Sequence, residues 1–355
     1  MNITSINPAN GQVIKEYTAL NETQVTEKIA QTHNAWLSWK KTSHEERSIL
    51  MNKLAEVLRE RKQALAVLMA NEMGKPLKQG LEEVEKCAVC CEYYAVNGKT
   101  FLAEEHVQTE ASKSYVTFQP IGVVLAVMPW NFPLWQVFRF LVPALIAGNC
   151  GVLKHASNVP GCALAIEEMV VEAGFPAYVF QTLLVGNTLV EKIIENPYIA
   201  AVTLTGSTKA GISVASKAGS MLKKTVLELG GSDAYVVLAD ADLDKAAATC
   251  VNSRLINSGQ SCIAAKRFIV EESVINDFTE LFLDKLKSKI MGDPLDLATE
   301  VGPQARIDLR DELHDQVIRS IEKGAVCLLG GKIPEGNHAF YPATLLTHVM
   351  PGMPA

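Results

Sequence analysis

Residues 201–211, AVTLTGSTKAG, begin as an apolar run, pass through a glycine turn at Gly206 and continue with residues that favour a helix. A strand that leads through a glycine turn into a helix is the repeating unit of parallel α/β sheets. The backbone amides and the dipole at the start of such a helix attract an anionic or polarisable part of a nucleotide. The spacing is Gly-x-x-x-x-Gly, without the Lys-Ser/Thr of a phosphate-binding loop, so tight packing of the helix is an equally good interpretation.

The same alternation of strands and helices extends outward from this segment. Upstream, β-rich runs at 123–127, 151–154 and 182–185 alternate with helical patterns at 133–147 and 159–173. Downstream, a helix at 208–217 is followed by strands at 235–238 and 268–271, helices at 243–256 and up to about residue 290, and a helix and strand between 313 and 329. This order predicts a mostly parallel sheet covered on both faces, followed by a second α/β domain that begins near residue 228. The 355 residues also exceed the usual size of one hydrophobic core.

The first hundred residues are predicted to be helical. Ser43 and Glu46 form the Ser-x-x-Glu pattern of a capping box, and apolar residues then recur at helical spacing until the Gly-Lys-Pro sequence at 74–76 ends the helix. A further helix is predicted over residues 77–96 and carries three closely spaced cysteines, Cys87, Cys90 and Cys91. Because no second Cys/His pair accompanies them, we interpret them as packing residues and expect no metal site.

Composition and charge argue against several classes of function. The sequence is 48% hydrophobic and 20% charged, with no low-complexity stretch long enough to be a disordered linker. A formal net charge of −6 provides no basic surface for nucleic acid or anionic lipid. Small-molecule chemistry is therefore the better expectation.

The amino terminus and the cysteines indicate a cytoplasmic protein. The first residues lack the charged and apolar regions of a secretory signal. The most apolar stretch, residues 121–153, is interrupted by Pro129, Pro133 and Pro143, which favours a buried strand, loop and helix over a membrane span. The eight cysteines are scattered without the dense, regular spacing of a disulfide framework, so we expect reduced thiols.

Two further short sequences carry reactive side chains. In the sequence ELGG at 228–231, Glu228 ends an apolar run and would serve as a general base if it were desolvated, although a surface salt bridge is the more common role of such a residue. In the sequence GQSC at 259–262, Cys262 follows a glycine turn that leaves a thiolate nucleophile accessible. Taken alone, a cysteine is more often a small buried apolar residue.

Five features taken together, and in this order, resemble the aldehyde dehydrogenase superfamily over essentially the whole chain. They are PWNFP at 129–133, Lys154, TGST at 205–208, ELGG at 228–231 and GQSC at 259–262. Each is weak evidence by itself, whereas the joint match is specific.

The resemblance implies the fold and the domain organisation. It implies an α/β fold with a Rossmann-like NAD(P)-binding domain and N-terminal helices in residues 1–228, and an α/β catalytic domain in residues 229–355. The sequences KHASNVP at 154–160 and ELGGSD at 228–233 are most similar to those of bacterial succinate-semialdehyde dehydrogenases. The chain ends at Ala355, before the family's Glu-x-Phe-Gly-Pro segment and its carboxy-terminal oligomerisation strand, so we expect a C-terminally truncated fragment of a homo-oligomeric enzyme.

The resemblance also implies a reaction and its catalytic residues. Cys262 attacks the aldehyde carbon, and the resulting oxyanion accepts hydrogen bonds from the Asn131 amide and the backbone N–H of Cys262. Loss of hydride to NAD(P) leaves a thioester, which Glu228 hydrolyses by activating a water molecule. Asn131 has a second possible role as the N-cap of the helix that follows Pro133.

A larger set of residues is implied to bind the cofactor: Pro129, Trp130, Lys154, Ser157, Gly206, Ser207, Leu229 and Gly230. Lys154 is implied to hold the adenosine ribose, and its alternative role is that of a solvated lysine. NAD-preferring relatives often carry a glutamate where Ser157 stands. The neutral serine removes a charge that repels a 2′-phosphate, so we expect NADP to be accepted at least as well as NAD.

Substrate choice depends on Arg139, which aligns with an arginine that binds the distal carboxylate in succinate-semialdehyde dehydrogenases. A planar guanidinium suits a carboxylate because it bonds both oxygens, although Arg139 could instead cover the next strand with its stem. A second such arginine in some relatives is replaced by Ile256, with Arg254 nearby. His155 stands where a proline is common, and the sequence offers no account of its role.

Other functions remain open from the sequence. The enzyme could oxidise other small aliphatic aldehydes, or acylate coenzyme A, although enzymes of the latter type usually lack the hydrolytic glutamate. A thiol hydrolase needs a histidine beside the cysteine, and no motif supplies one. The last alternative is an inactive structural relative that keeps the fold.

Overall fold

The computed structural model describes residues 2–336 and 338–355. The chain forms two compact units. Unit 1 comprises Met1–Ser5, Glu16–Leu65 and Leu81–Leu229, and unit 2 comprises Ile6–Lys15, Ala66–Gly80 and Gly230–Ala355.

The secondary structure follows the alternation predicted from the sequence. The α-helices are α1 (Glu22–Trp39), α2 (His44–Glu60), α3 (Lys62–Met73), α4 (Leu77–Phe101), α5 (Trp135–Ile146), α6 (Pro160–Glu172), α7 (Val190–Glu195), α8 (Thr208–Ser220), α9 (Leu243–Leu255), α10 (Ile275–Lys287) and α11 (Ile307–Glu322). The strands are β1 (Asn2–Ile6), β2 (Val13–Thr18), β3 (Glu105–His106), β4 (Tyr115–Val116), β5 (Val123–Met128), β6 (Cys150–His155), β7 (Phe180–Thr182), β8 (Ile199–Thr205), β9 (Lys224–Glu228), β10 (Ala234–Val237), β11 (Arg267–Val270), β12 (Val326–Leu329) and β13 (Leu345–Thr347). Short 3₁₀ helices cover Asn187–Leu189, Ile256–Gly259 and Glu272–Val274.

A five-stranded parallel sheet in the order β7-β6-β5-β8-β9 forms the centre of unit 1. From β5 the chain moves outward through β6 to β7, and then returns to the other side of β5 through β8 and β9. The strand order therefore reverses between β5 and β8. In open α/β sheets, ligands bind outside the carboxyl ends of the strands at such a reversal.

The inner strands are buried because helices cover the sheet. β6 is buried along its whole length, and β5 at all but one position. Helices α5 and α6 pack against β5, β6 and β7, whereas α8 packs against β8 and β9. Because the crossovers between parallel strands are right-handed, the helices before the reversal and those after it lie on opposite faces of the sheet. Both faces are therefore covered, which explains the continuous apolar runs of these strands.

Several predicted elements shift when they are compared with the structure. The capping box of Ser43 and Glu46 is confirmed at the start of α2, but the single helix predicted up to Gly74 is two helices, α2 and α3, separated at Arg61. Gly74 ends α3 with φ +75°, and a Cβ atom there would lie 2.6 Å from Cγ of Pro303, so only glycine fits. Helix α4 extends to Phe101, beyond the predicted residue 96.

The strand predicted at 182–185 was misplaced, since β7 covers Phe180–Thr182. The Thr182 amide donates to Oε2 of Glu167, whereas the Leu183 amide, just after β7, donates to the Leu153 carbonyl of β6. The shift brings the buried polar residue Gln181 into the strand beside Thr182, and their side chains donate to the helix carbonyls of Lys28 and Ala163, respectively.

Unit 2 contains a parallel pair of strands, β10 and β11, with α9 and α10 in the adjoining core. The core contains Val251, Phe278 and Phe282, and the rings of the two phenylalanines lie 5.7 Å apart. Strands β12 and β13 form a separate antiparallel pair. The renewed strand-helix order predicted after residue 228 is therefore present.

The apolar stretch at 121–153 forms β5, α5 and β6. Within residues 2–336 and 338–355, no helix is both long and apolar enough to cross a membrane. Cys87 and Cys91 are buried in α4, and burial raises the pKa of Cys91. Over the same residues, no group of three or more His, Cys, Asp or Glu side chains is arranged to hold a metal ion.

Candidate active site

The carboxyl edge of the parallel sheet gathers most of the predicted site residues of unit 1. Parallel register places Val127 beside both Lys154 and Leu204, and Thr205 beside Glu228. The loops that follow β5, β6 and β8 therefore start at the same edge. Asn131, Ser157 and the Gly206 turn lie on these three loops, on either side of the strand reversal. Cys262 and Gly230 belong to unit 2.

The loop that carries Asn131 connects β5 to α5. The Asn131 side-chain oxygen accepts a hydrogen bond from the Phe132 amide at 3.1 Å. The alternative role of Asn131 as a helix N-cap is wrong, because the N-cap of α5 is Leu134 and its side chain makes no capping hydrogen bond.

A glutamate from another helix caps α5 instead. Oε1 of Glu83, which is 4% exposed, accepts hydrogen bonds from the amides of Leu134 and Trp135, each at 2.9 Å. A carboxylate at a helix N-terminus satisfies free amides and interacts favourably with the helix dipole. Glu83 precedes Leu134 by 51 residues, so no local sequence pattern could reveal this contact.

Lys154 is buried at the end of β6. Its residue exposure is 6%, and its Nζ donates a hydrogen bond to Oδ1 of Asn187 at 2.6 Å. Burial lowers the pKa of Lys154. The alternative of a solvated lysine is therefore wrong. An ammonium group has three donors, and a buried one needs polar partners for them. Among the described residues Lys154 forms no ion pair with a carboxylate, and nearby Ser157 is exposed and neutral.

The turn between β8 and α8 has room for a ligand at Gly206. A Cβ atom built there would meet its nearest neighbours, Leu204 and Ala210, only at 3.6 and 3.9 Å. Ser207 is the N-cap of α8, and its hydroxyl accepts a hydrogen bond from the Ala210 amide at 3.2 Å. Packing therefore does not require glycine at position 206.

The second glycine of this segment has the packing role. A Cβ atom at Gly211 would lie 2.6 Å from Cδ2 of Leu229, so the Leu229 side chain would have to move to make room for it. The two interpretations of the glycine spacing therefore apply to different glycines: Gly211 lets α8 approach the chain after β9, and Gly206 keeps the turn open.

Glu228 and Arg139 form an ion pair at the same edge. Nη2 of Arg139 lies 3.6 Å from Oε2 of Glu228 and also donates a hydrogen bond to Oγ1 of Thr205 at 2.9 Å. The Glu228 side chain is 55% exposed, so the desolvation considered for it is absent. A surface ion pair is the arrangement seen. Such pairs contribute little to stability and leave the carboxylate free to turn.

Cys262 follows a tight turn in unit 2. Asn257, Ser258 and Gly259 have φ values of 52°, 56° and 83°, all in the left-handed region. Two consecutive non-glycine residues in this region are strained, and such strain is typical of functional turns. Cys262 is partly exposed just beyond the turn.

The side chain of Arg254 holds this turn through hydrogen bonds to its backbone. Its guanidinium donates hydrogen bonds to the carbonyls of Gly259 at 2.8 Å and Ala265 at 3.1 Å, on both sides of Cys262. Desolvation lowers the pKa of Arg254. A Cβ atom at Gly259 would lie 2.1 Å from Nη2 of Arg254, so the turn needs glycine. The sequence indicated only that Arg254 is near the nucleophile.

Further contacts within unit 2 hold the strained residues. The Asn257 amide donates to Oε1 of Gln79 at 2.7 Å, and the Gly302 amide donates to Oγ of Ser258 at 2.8 Å. Oε1 of Gln260 accepts a hydrogen bond from the Ala305 amide at 2.9 Å. These contacts join residues 44 to 178 positions apart and explain why the turn keeps its conformation.

The whole chain matches a family model. The model is described as "Aldehyde dehydrogenase family" and spans residues 1–355. The chain is 47% identical over 354 residues to a probable succinate-semialdehyde dehydrogenase [NADP(+)] of Synechocystis, covering 100% of this chain and 78% of that protein. It is 46% identical over 357 residues to a succinate-semialdehyde dehydrogenase [NADP(+)] of Mycobacterium avium, covering 99% and 76%.

The fold is similar to that of solved structures. The crystal structure of succinic semialdehyde dehydrogenase from Streptococcus pyogenes in complex with NADP+ superposes with a TM-score of 0.96 at 34% identity, covering 99% of this chain and 78% of that one. The family and the α/β fold that the sequence motifs indicated are confirmed. The chain belongs to the aldehyde dehydrogenase family.

Proposed function

We propose that the protein oxidises succinate semialdehyde to succinate, with NADP or NAD as the hydride acceptor. The observation that carries the proposal is the single sheet edge in unit 1 that holds a buried lysine, the Asn131 loop and the Arg139–Glu228 pair. Membership of the aldehyde dehydrogenase family and the names of the similar proteins support the reaction class.

The chemistry is assigned to three residues. The Cys262 thiolate attacks the aldehyde carbon and forms a carbon–sulfur bond, while the carbonyl oxygen becomes an oxyanion. The Asn131 side-chain amide and the backbone N–H of Cys262 donate hydrogen bonds to that oxygen, a contribution of about 3 kcal/mol for one such donor. After hydride loss, the carbon is a thioester. Glu228 takes a proton from water, the hydroxide attacks the thioester, and the acid leaves as Cys262 recovers its thiolate.

The carboxyl edge of the sheet fits a dinucleotide. Bound there, the cofactor supplies a nicotinamide ring that accepts the hydride. The buried Lys154 has donors left for ribose hydroxyls, and the open Gly206 turn with Ser207 at the α8 N-terminus suits a polar group of the nucleotide. We propose the same set for cofactor contact as the motifs imply: Pro129, Trp130, Lys154, Ser157, Gly206, Ser207, Leu229 and Gly230.

NADP is proposed to be accepted at least as well as NAD. Nζ of Lys154 is a hydrogen-bond donor at the end of β6, and Ser157 carries no charge that repels a 2′-phosphate. Both similar proteins described above have NADP(+) in their names.

The substrate assignment depends on Arg139. Its guanidinium faces the carboxylate of Glu228, so a substrate carboxylate competes with Glu228 for the same donors. That exchange frees Glu228 from its ion pair at the time when it acts as a base. Carboxylate binding and base activation are thus coupled through one side chain.

The reaction is tested by adding succinate semialdehyde and NADP or NAD and following the absorbance of the reduced nicotinamide. The proposal expects turnover that is lost in Cys262→Ala and a kcat/KM for NADP at least equal to that for NAD. Faster turnover of butanal than of succinate semialdehyde favours a general aliphatic aldehyde dehydrogenase. Absence of turnover by a correctly folded protein favours the inactive structural relative.

We further propose that the protein acts as a homo-oligomer in the cytoplasm. Exposed apolar side chains on α8, in the turn after it and on the edge strand β9 support self-association, among them Ile212, Leu222 and Val226. The scattered spacing of the cysteines, without the dense pattern of a disulfide framework, is typical of a reducing compartment.

A further inference from the structure

We propose that His155 is a positioning residue for the reaction: its imidazole holds the 129–133 loop so that the Asn131 amide stays fixed. The inference rests on the proposed role of Asn131 as an oxyanion donor. His155 is the last residue of β6 and lies in register with Met128, the last residue of β5. The loop with Asn131 begins at that point.

The hydrogen bonds of His155 define one tautomer. Nε2 lies 2.9 Å from the carbonyl oxygen of Pro133, and a carbonyl can only accept, so Nε2 carries the proton. Nδ1 lies 2.9 Å from the amide of Ala156, which can only donate, so Nδ1 is unprotonated. The ring is neutral, 5% exposed and satisfied on both nitrogens.

Two prolines limit the backbone hydrogen bonds that can hold the loop. Pro129 and Pro133 have no amide hydrogen, so each can only accept a hydrogen bond through its backbone. Pro133 is buried, and the imidazole supplies a donor to its carbonyl. Beyond it, the Glu83 carboxylate holds the amides of Leu134 and Trp135.

Asn131 therefore lies between two fixed points. One is the end of β5 beside His155, and the other is Pro133, which His155 itself holds. A catalytic donor must be kept close to its productive position, and a displacement of about 1 Å in such a group can reduce the rate roughly 100-fold. Loss of the imidazole removes the contact at Pro133, so that the far end of the loop is held only from Leu134 onward by Glu83, and lets the Asn131 amide move.

The test compares two substitutions at position 155 and one matched control. His155→Leu removes the donor to Pro133 at similar volume, whereas His155→Gln can place an amide nitrogen near the position of Nε2. Gln181→Met is the control because Gln181 is 2% exposed in neighbouring β7 and donates to Lys28 and Thr32, away from the Asn131 loop. His155→Leu and Gln181→Met each remove buried side-chain hydrogen bonds.

Three readouts are measured for every variant. They are kcat and KM for aldehyde oxidation, the hydrolysis of 4-nitrophenyl acetate without cofactor, and hydrogen exchange of a peptide covering 128–135 together with the melting temperature. The ester acylates Cys262, releases 4-nitrophenolate, and the thioester is then hydrolysed by water. This path forms an oxyanion next to Asn131 without any nicotinamide.

We expect His155→Leu to reduce kcat for both reactions by roughly 10-fold or more, with KM changed much less and exchange of the 128–135 peptide increased. His155→Gln should recover most of the rate. Gln181→Met should lower the melting temperature while kcat stays within about two-fold of the original. An unchanged kcat in folded His155→Leu, or a loss in Gln181→Met as large as that in His155→Leu, overturns the inference.

Asn131→Ala separates this inference from the proposed function. If Asn131→Ala reduces both rates and His155→Leu does not, only the role of His155 is wrong. If Asn131→Ala retains both rates, the oxyanion role itself is wrong and the inference falls with it. Should His155→Leu not fold, His155→Gln is compared with His155→Asn, whose shorter amide reaches only the Nδ1 position. Higher kcat in His155→Gln supports the inference, and equal kcat overturns it.

Discussion

At the scale of single residues, Arg139 has two partners on the sheet edge, Glu228 and Thr205. Arg139→Ala should raise KM for succinate semialdehyde roughly 10- to 100-fold, because a charged hydrogen bond contributes about 1.5–3 kcal/mol. KM for butanal, which has no carboxylate, should change little. Steady-state kinetics with both aldehydes measure this, and Arg139→Lys serves as a control that keeps the charge but loses the planar fork. Equal increases for the two substrates would reject the assignment of Arg139 to substrate binding.

His155 also makes stability depend on pH. Burial is the largest cause that lowers the pKa of His155 from 6.5 to about 4, and the positive charge of Lys154 adds to it. The unfolded chain therefore binds a proton that the folded protein does not bind between these pH values. The stability is fully present above pH 6.5 and decreases as the pH falls towards 4, by about 1.4 kcal/mol per pH unit at most.

Urea unfolding at pH 7 and pH 5 measures this effect. Between pH 7 and pH 5, the free energy of unfolding of the original protein should decrease by about 2 kcal/mol because of this group. His155→Gln lacks the imidazole, so its free energy of unfolding should decrease by about 2 kcal/mol less over the same range. An identical pH dependence in both proteins would show that His155 stays neutral in the unfolded chain or becomes charged in the folded one.

At the scale of elements, the start of α5 depends on a carboxylate from α4. Glu83→Ala leaves the amides of Leu134 and Trp135 without their acceptor and should destabilise the protein by about 2 kcal/mol. Ser207→Ala, at the exposed N-cap of α8, is the matched control and should cost about 1 kcal/mol. Chemical denaturation measures both. A smaller loss for Glu83→Ala than for Ser207→Ala would contradict the importance of the buried cap.

The turn before Cys262 provides a second prediction at this scale. Gly259→Ala adds a methyl group against Arg254 at a φ of +83°, so it should destabilise unit 2 by about 1–3 kcal/mol and slow alkylation of Cys262 by iodoacetamide. Gly219→Ala is the control, because no atom lies within 4 Å of its Cβ position and α8 favours alanine there. Equal alkylation rates and stabilities in the two variants would mean that the turn tolerates the methyl group.

Elements with a local signal could be predicted from the sequence, and those set by tertiary contacts could not. Ser43 and Glu46 lie three residues apart, and the reciprocal hydrogen bonds of their capping box specify the start of α2. Asn131 before a proline has the same kind of signal, yet Glu83 takes the capping role because the fold brings α4 to that point. Arg254 and Gln79 support the Cys262 turn in the same way, through contacts that no spacing reveals.

At the scale of the whole molecule, the strand-helix alternation and the five ordered motifs were enough to identify the fold and the family. The burial of Lys154, the exposure of Glu228 and the packing role of Gly211 depend on which faces the sheet and helices cover, and no local sequence pattern specifies them. The domain boundary at 228–229 remains a prediction.

Self-association is the prediction that belongs to this scale. The protein should have a mass in solution above the 38.6 kDa of one chain, because Ile212, Leu222 and Val226 expose 64, 95 and 62% of their surface on α8, after it and on β9. Light scattering coupled to size exclusion measures the mass. Leu222→Lys together with Val226→Lys should shift the protein towards monomers, and Lys245→Glu on α9 is a control with a charge change elsewhere. A monomeric original protein would contradict the proposed homo-oligomer.

The membership of residues 66–80 in unit 2 has a consequence for synthesis of the protein. A ribosome synthesises residues 66–80 long before it synthesises residues 230–355 of the same unit. The two segments are joined by the hydrogen bond from the Asn257 amide to Gln79. Unit 1 can complete its sheet while translation continues. The turn before Cys262 cannot form until its own residues have been synthesised and bind Gln79, which left the ribosome much earlier. The reactive thiol thus acquires its setting only after synthesis has passed residue 262, and until then the nascent chain has no formed nucleophile turn.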